Sequence, residues 1–266
     1  MKNKVLISAH SEKGLRERNE DYFVTCSNDS NQTLAVVCDG IGGDDDSQIA
    51  SRLLASLFEE TFLKKKFIKN FSSFYNKVLV ASTKQINKRS TFNRVMGTTV
   101  CVVLVSENTV EMANMGDSRI YFHKYGSSNW KLMSYDHNLY NHLRSKFQKQ
   151  REDNPSIISI IDQEEQRELA INKLKLLALT NCIETNSKPK IKDSYYKAVD
   201  SVVSGDMYHI CSDGVYNWIK QEEIDKIIRE TENFEDVAAN IIKAATINGS
   251  NDNLTSVFIK IQHGNE

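Results

Sequence analysis

Aspartates in this chain stand where apolar runs stop or begin. Leu34-Ala35-Val36-Val37-Cys38 runs directly into Asp39-Gly40, and His209-Ile210-Cys211 runs into Ser212-Asp213-Gly214. Asp252 precedes the run Leu254 to Ile261, Asp117 fills the turn Gly116-Asp117-Ser118, and Glu20 with Asp21 opens another run. An acid at the end of a buried strand can turn its carboxylate into a cleft, and a glycine after it lets backbone approach a ligand closely. Taken singly, each acid is explained by the ordinary preference of aspartate for turns. Together at sheet edges, they would repel one another unless hard divalent cations neutralised them, and an all-oxygen donor set suits Mg2+ or Mn2+. Zinc spacing of histidine and cysteine is missing. The six histidines are scattered singly, and none shows a serine or cysteine nucleophile partner in the sequence pattern.

These acids need strands to hold them. Short apolar or alternating runs predict strands near 4–10, 21–27, 33–38, 98–106, 109–114, 119–124, 130–134, 207–211 and 254–262. Between them, Ile49, Leu53, Leu54, Leu57, Phe58 and Phe62 recur at helical spacing, followed by Phe71, Phe74, Tyr75, Val78, Leu79 and Ile86. A later pair is marked by Ile224, Ile227 and Ile228, then by Val237, Ala238, Ile241, Ile242 and Ala245. Strands in hairpin succession between helix pairs imply antiparallel sheets covered by helices, an α+β arrangement, rather than alternating βαβ units. No linker divides the chain, which predicts one domain over 1–266. Residues 138–178 are polar, with a weak helical period from Glu164 to Leu177; a lid or insertion over a site fits them as well as a solvated helix does.

Composition narrows the function. With 34 basic and 35 acidic residues the formal net charge is -1, which speaks against nucleic acid as a partner. The one dense basic run, Lys64, Lys65, Lys66 and Lys69, follows an apolar-periodic segment and reads as a helix end. Five cysteines without a C-x-x-C pair point to a reducing, cytoplasmic setting, and Cys38, Cys101 and Cys211 read as small buried hydrophobes. No run of 18 apolar residues predicts a membrane span, and the N-terminal apolar stretch is short for a signal peptide.

In chain order, Arg16-x-x-Asn19-Glu20-Asp21, Asp39-Gly40-x-Gly42-Gly43 with Ala50-Ser51, Gly97-Thr98-Thr99, Gly116-Asp117-Ser118-Arg119, Asp136-His137, Ser212-Asp213-Gly214 and Asp252-Asn253-x-Thr255 follow one another. This series resembles the type 2C metal-dependent serine/threonine protein phosphatases, in their compact bacterial-like form, from about Ser8 to Ile261. The resemblance implies a four-layer αββα sandwich of two antiparallel β-sheets between helix pairs. It further implies that Asp39 bridges two tightly held Mn2+ or Mg2+ ions, that Gly40 lends its carbonyl, that Asp213 and Asp252 hold one ion, and that Glu20 acts on the other. Asp117 would hold a third, weaker ion with Asp213, and Arg16 would grip the substrate phosphate. Water activated between the two ions would attack phosphorus in line, with no covalent phospho-enzyme. The implied partners are phosphorylated proteins and a cognate serine/threonine kinase.

The sequence also departs from the family's pattern. Asp44, Ser47 and Gln48 stand where bacterial-like members usually carry histidine, glycine and glutamate. Ile41 replaces the histidine of animal-type members, which leaves protonation of the leaving group unassigned. Asn217 occupies the place of an aspartate common in the family, and Gly14 lies one residue closer to Arg16 than usual. These departures motivate a second reading, a pseudo-phosphatase that binds phosphoproteins or partners without turnover. Against it, Asp39, Asp213 and Asp252 are all present. A metal-dependent nuclease or phosphodiesterase would share acids and cations but should bring a positive groove.

Overall fold

The structure is a computed structural model that describes residues 3–42, 47–89, 96–153, 178–186 and 189–263. Its strands are β1 (Asn3–Glu12), β2 (Tyr22–Ser27), β3 (Thr33–Cys38), β4 (Gly40–Ile41), β5 (Gly97–Thr98), β6 (Val100–Val105), β7 (Thr109–Met115), β8 (Arg119–His123), β9 (Trp130–Leu132), β10 (Ile183–Glu184), β11 (Tyr195–Asp200), β12 (Met207–Cys211) and β13 (Leu254–His263). The helices are α1 (Ser47–Leu63), α2 (Phe71–Arg89), α3 (Leu139–Asp153), α4 (Asp213–Tyr216), α5 (Gln221–Glu230) and α6 (Val237–Ile247). One sheet has the order β1-β13-β12-β8-β9 and the other β11-β7-β6-β3-β2, and every pairing within both is antiparallel. A small third sheet, β10-β5-β4, was not foreseen.

Alternation of side chains along β3 shows how the layers are made. Leu34, Val36 and Cys38 point to α1 and α2, against Phe58, Phe62, Tyr75 and Leu79, while Ala35 and Val37 point to the other sheet. Both faces are covered, so the strand reads as an unbroken apolar run. Between the sheets, Val103, Val110 and Met112 meet Ile120, Tyr208, Ile210, Val257 and Ile259. The far face of the β1-β13-β12-β8-β9 sheet packs Cys211, Leu254 and Phe258 under Val237, Ile241, Ile242 and Ala245 of α6. Helices, two sheets and helices thus stack as the sequence predicts. Each fully buried aliphatic side chain contributes about 1.5–3 kcal/mol of transfer free energy.

Two longer elements also escaped the sequence reading. Strand β11 is an edge strand carrying Lys197 and Asp200, half-buried along most of its length, so it lacks a clean apolar alternation. Helix α3 is strongly polar and lies in the segment left open between lid and solvated helix. The period predicted from Glu164 to Leu177 falls outside the described residues. What leads into and out of that stretch is described: Leu139 N donates to Ala178 O at 2.9 Å, Thr180 N donates to His137 O at 2.8 Å, and Asn138 bridges Leu179. The chain therefore departs and returns through a short antiparallel clasp.

One buried group far from the acids makes stability depend on pH. The His209 ring stacks on Phe258 at 4.0 Å, with Nε2 bonded to Ser256 Oγ at 2.9 Å and Nδ1 without a partner. Burial pushes its pKa from 6.5 down to about 3. The unfolded chain takes up this proton near pH 6.5 and the folded one does not, so the stability of the neutral form is present above 6.5 and lost as pH falls toward 3. His209→Phe removes this dependence. Between pH 6.5 and 4.5, wild type should lose about 2 kcal/mol more than the variant in urea unfolding, as the slope climbs from half to nearly the full ~1.4 kcal/mol per pH unit. Parallel profiles would show that His209 is not held neutral.

Candidate metal centre

The acids flagged in the sequence sit at strand ends. Asp39 follows β3, Glu20 and Asp21 precede β2, Asp117 joins β7 to β8, Asp213 follows β12, and Asp252 precedes β13. Antiparallel pairing sets Tyr22 opposite Cys38, and Cys211 opposite both Arg119 and Ser256, so the flanking residues of both sheets emerge together. Thr99 links the sheets there: its Oγ1 accepts from Asp39 N at 3.1 Å and shares a hydrogen bond with Ser118 Oγ at 2.8 Å.

The glycines have a packing role that the sequence did not show. A β-carbon at Gly40 would lie 2.7 Å from Glu20 O and 2.8 Å from Ser47 O, and Gly40 N donates to Glu20 O at 3.2 Å. Gly40 therefore lets backbone pack on backbone, drawing the Glu20 segment and the start of α1 against Asp39. Gly116, at φ 106°, turns the chain in a conformation that L side chains rarely adopt. Ser47, one of the departures from the family's pattern, donates its hydroxyl to Glu20 Oε1 at 2.6 Å and so orients that carboxylate.

Electrostatics show the convergence. Asp39 has its pKa raised well above the usual carboxylate range, by burial first and then by the charges of Asp21, Asp213, Asp117 and Asp252. Burial raises Asp117 to about 7, with further push from Asp213 and Asp136. Asp213 is raised by burial and by Asp252. No three acidic, histidine or cysteine groups among the described residues stand ready as one ion's shell. The donor set nevertheless fits hard divalent cations by chemistry: it is all oxygen, it is crowded with like charge, and Asp21 keeps a buried Oδ1 with no hydrogen-bond partner.

Arg16 reaches the same place by a route not foreseen. Its Nη2 donates to Asp252 Oδ2 at 2.8 Å and its Nε to Asn251 O at 3.2 Å. Two further residues belong here that sequence reasoning gave no role. Asp21 is buried, accepts from Ser212 Oγ at 2.7 Å, and has its pKa raised to about 6, chiefly by burial. Asp136 holds the Arg119 fork, at 2.7 Å from Nη2 and 3.1 Å from Nε, while Arg119 lies over the Tyr216 ring at 3.8 Å. Asp21 was marked only as one acid among those at strand ends, and Asp136 only by its membership in the motif series. Buried Cys38, Cys101 and Cys211 have thiol pKa values pushed up by burial, so none is a poised nucleophile.

A paired antiparallel sandwich between helical layers, with acids crowding the strand ends at one mouth, defines an αββα class built around a cation-dependent centre. The chain belongs to the Protein phosphatase 2C family, whose model matches residues 8–257. The family is metal-dependent. Among similar proteins, a putative protein phosphatase of Mycoplasma genitalium is 28% identical over 95% of this chain and 94% of its own length. The serine/threonine phosphatase stp of Listeria monocytogenes is 24% identical over 92% of this chain and 91% of its own. The solved serine/threonine phosphatase of S. agalactiae shares the fold at a TM-score of 0.79, with 21% identity, covering 97% of this chain and 99% of that one. The catalytic domain of PstP, solved in complex with 2 manganese ions, matches at a TM-score of 0.72 and 19% identity over 98% and 100%. Among the described residues, no helix is long and apolar enough to cross a membrane.

Proposed function

We infer that the chain hydrolyses phosphoserine and phosphothreonine on proteins, using Mn2+ or Mg2+ held by Asp39, Asp213, Asp252, Glu20 and the Gly40 carbonyl. A third, weaker ion belongs to Asp117 with Asp213. The observation that carries this reading is the crowding of carboxylates around buried Asp39, which raises its pKa in a chain of the phosphatase 2C family. Bound cations supply the charge that acidifies a water and neutralises phosphoryl oxygens. Asp39 and Asp213 provide the negative charge at the centre, and Glu20 is aimed by Ser47. Ser212 and buried Asp21 brace the ends of β12 and β2 against each other. The fork of Arg16 suits two phosphoryl oxygens, and it is released to substrate when the charge of Asp252 is taken up elsewhere. Turnover without the acids is not the pattern here: Asp39, Asp213 and Asp252 are all in place, which disfavours a pseudo-phosphatase.

The whole of 1–266 acts as one catalytic unit, a reading supported by β1 from one end of the chain pairing with β13 from the other. Free cysteines, three of them buried, support work in a reducing cytoplasm, on substrates that a serine/threonine kinase has modified. Phosphate release from a phosphothreonine peptide should require added Mn2+ and stop with chelator. Equal release in both defeats the metal dependence, and none in either defeats the phosphatase reading. Arg16→Ala should raise KM for the phosphopeptide roughly tenfold or more, because a charge-assisted bidentate pair is lost. Unchanged KM and kcat would remove Arg16 from phosphate binding.

A further inference from the structure

A cleft of about 540 Å3 begins at Asp117 and Asp213 and extends outward between α3 and the end of α4. Tyr140, Asn141 and Arg144 of α3 form one wall, and Tyr216 and Asn217 form the other. Helix α3 is fixed at its start: Asn141 Nδ2 donates to Asp136 O at 2.9 Å, and Tyr135 Oη donates to Asn141 O at 3.0 Å. Two arginines line the cleft, and they differ. Arg119 is committed to Asp136 and stacked on Tyr216. Arg144 is exposed and has no hydrogen-bond or ion-pair partner among the described residues. Asn217 brings no charge opposite it. The inner end of the cleft is therefore acidic and its outer part carries an uncompensated guanidinium.

We propose that Arg144 reads an acidic side chain flanking the phosphorylated residue of the protein substrate. This rests on the phosphatase reading, because the phosphorylated residue must occupy the carboxylate end for its neighbours to lie along the cleft. A carboxylate or second phosphate beside Arg144 gains charge-assisted hydrogen bonds that a neutral residue does not. Because the arginine is exposed, the selectivity is modest, roughly three- to tenfold. Arg144 acts on binding, so the effect falls on KM.

The test is a glutamate scan: one glutamate is moved residue by residue along a neutral phosphothreonine peptide, with Mn2+ present. Wild type should favour glutamate at one position, through a lower KM at unchanged kcat. Arg144→Ala should level the scan, Arg144→Lys should keep part of the preference, and Arg144→Glu should reverse it in favour of lysine at that position. Reversal is an effect that a merely structural role for Arg144 would not produce, and thermal melts confirm that the variants fold. A flat wild-type scan with normal turnover overturns the proposal alone, as does a preference that survives Arg144→Ala. Absence of turnover on every peptide overturns the phosphatase reading and the proposal together.

Discussion

Asp39→Asn is expected to abolish turnover while making the ion-free protein more stable. An amide keeps the size of the side chain but loses the charge that draws cations to the centre. Losing them removes several kcal/mol of transition-state stabilisation, hence roughly 10^3-fold or more in kcat. The same charge is a burden without cations, since Asp39 is buried and faces the carboxylates of Asp21, Asp213, Asp117 and Asp252. Its folded pKa is raised, so the stability of the protonated form is present below the unfolded value of 3.8 and is lost as pH rises toward the folded one. The stabilising effect of asparagine should accordingly be absent near pH 4 and grow as pH rises. Turnover near wild type in a folded variant would refute the role of Asp39, and an inactive variant with a lower ion-free melting temperature would recast it as scaffolding.

Asp117→Ala is the second large effect, a severe fall in kcat with little change in folding. In sequence, Gly116-Asp117-Ser118 reads as an ordinary turn, in which aspartate would be kept for local geometry. The structure assigns that work to neighbours. His137 N donates to Gly116 O at 2.9 Å, Ser118 Oγ pairs with Thr99, and Cys101 Sγ donates to Ser118 O at 3.0 Å. No neighbouring side chain among the described residues is shown donating to the Asp117 carboxylate, which is raised to about 7 by burial and by Asp213. Alanine there should remove a carboxylate that the fold would rather not ionise, so the ion-free melting temperature should hold or rise above pH 7. With one carboxylate of its own and Asp213 shared, a third ion would take most of its shell from water and bind weakly. Calorimetric metal titration should retain the tighter ions while kcat falls about 10^2-fold. A destabilised variant with normal kcat per folded molecule would return Asp117 to the turn.

Much of this centre was legible because acids ending apolar runs are rare enough to stand out once several occur in order. The central strands were legible for the same reason that they are buried: β3 from Leu34 onward and β6 must satisfy two packed faces and so are written in unbroken apolar residues. Edge strand β11 and helix α3 face water and carry no such constraint. Asp21 was counted among the acids but given no role of its own, because a buried acid at the start of a strand looks, in sequence, like an exposed one; only the contact with Ser212, 191 positions away, distinguishes it. Pairing of Arg119 with Asp136 was hidden likewise, since the two lie on opposite sides of a hairpin and are joined through space.

The clasp made by His137, Asn138 and Leu139 with Ala178, Leu179 and Thr180 has a consequence for how such a chain can change over time. It brings the two ends of the intervening stretch side by side, so closing that loop is already accomplished whatever its length. Doubling the stretch would cost only about 0.6 kcal/mol of closure entropy, less than many single substitutions in the sandwich. Material can therefore be gained, trimmed or exchanged at this point without disturbing either sheet. It is an address beside the catalytic mouth where lineages can diverge in what they recognise while inheriting the same chemistry.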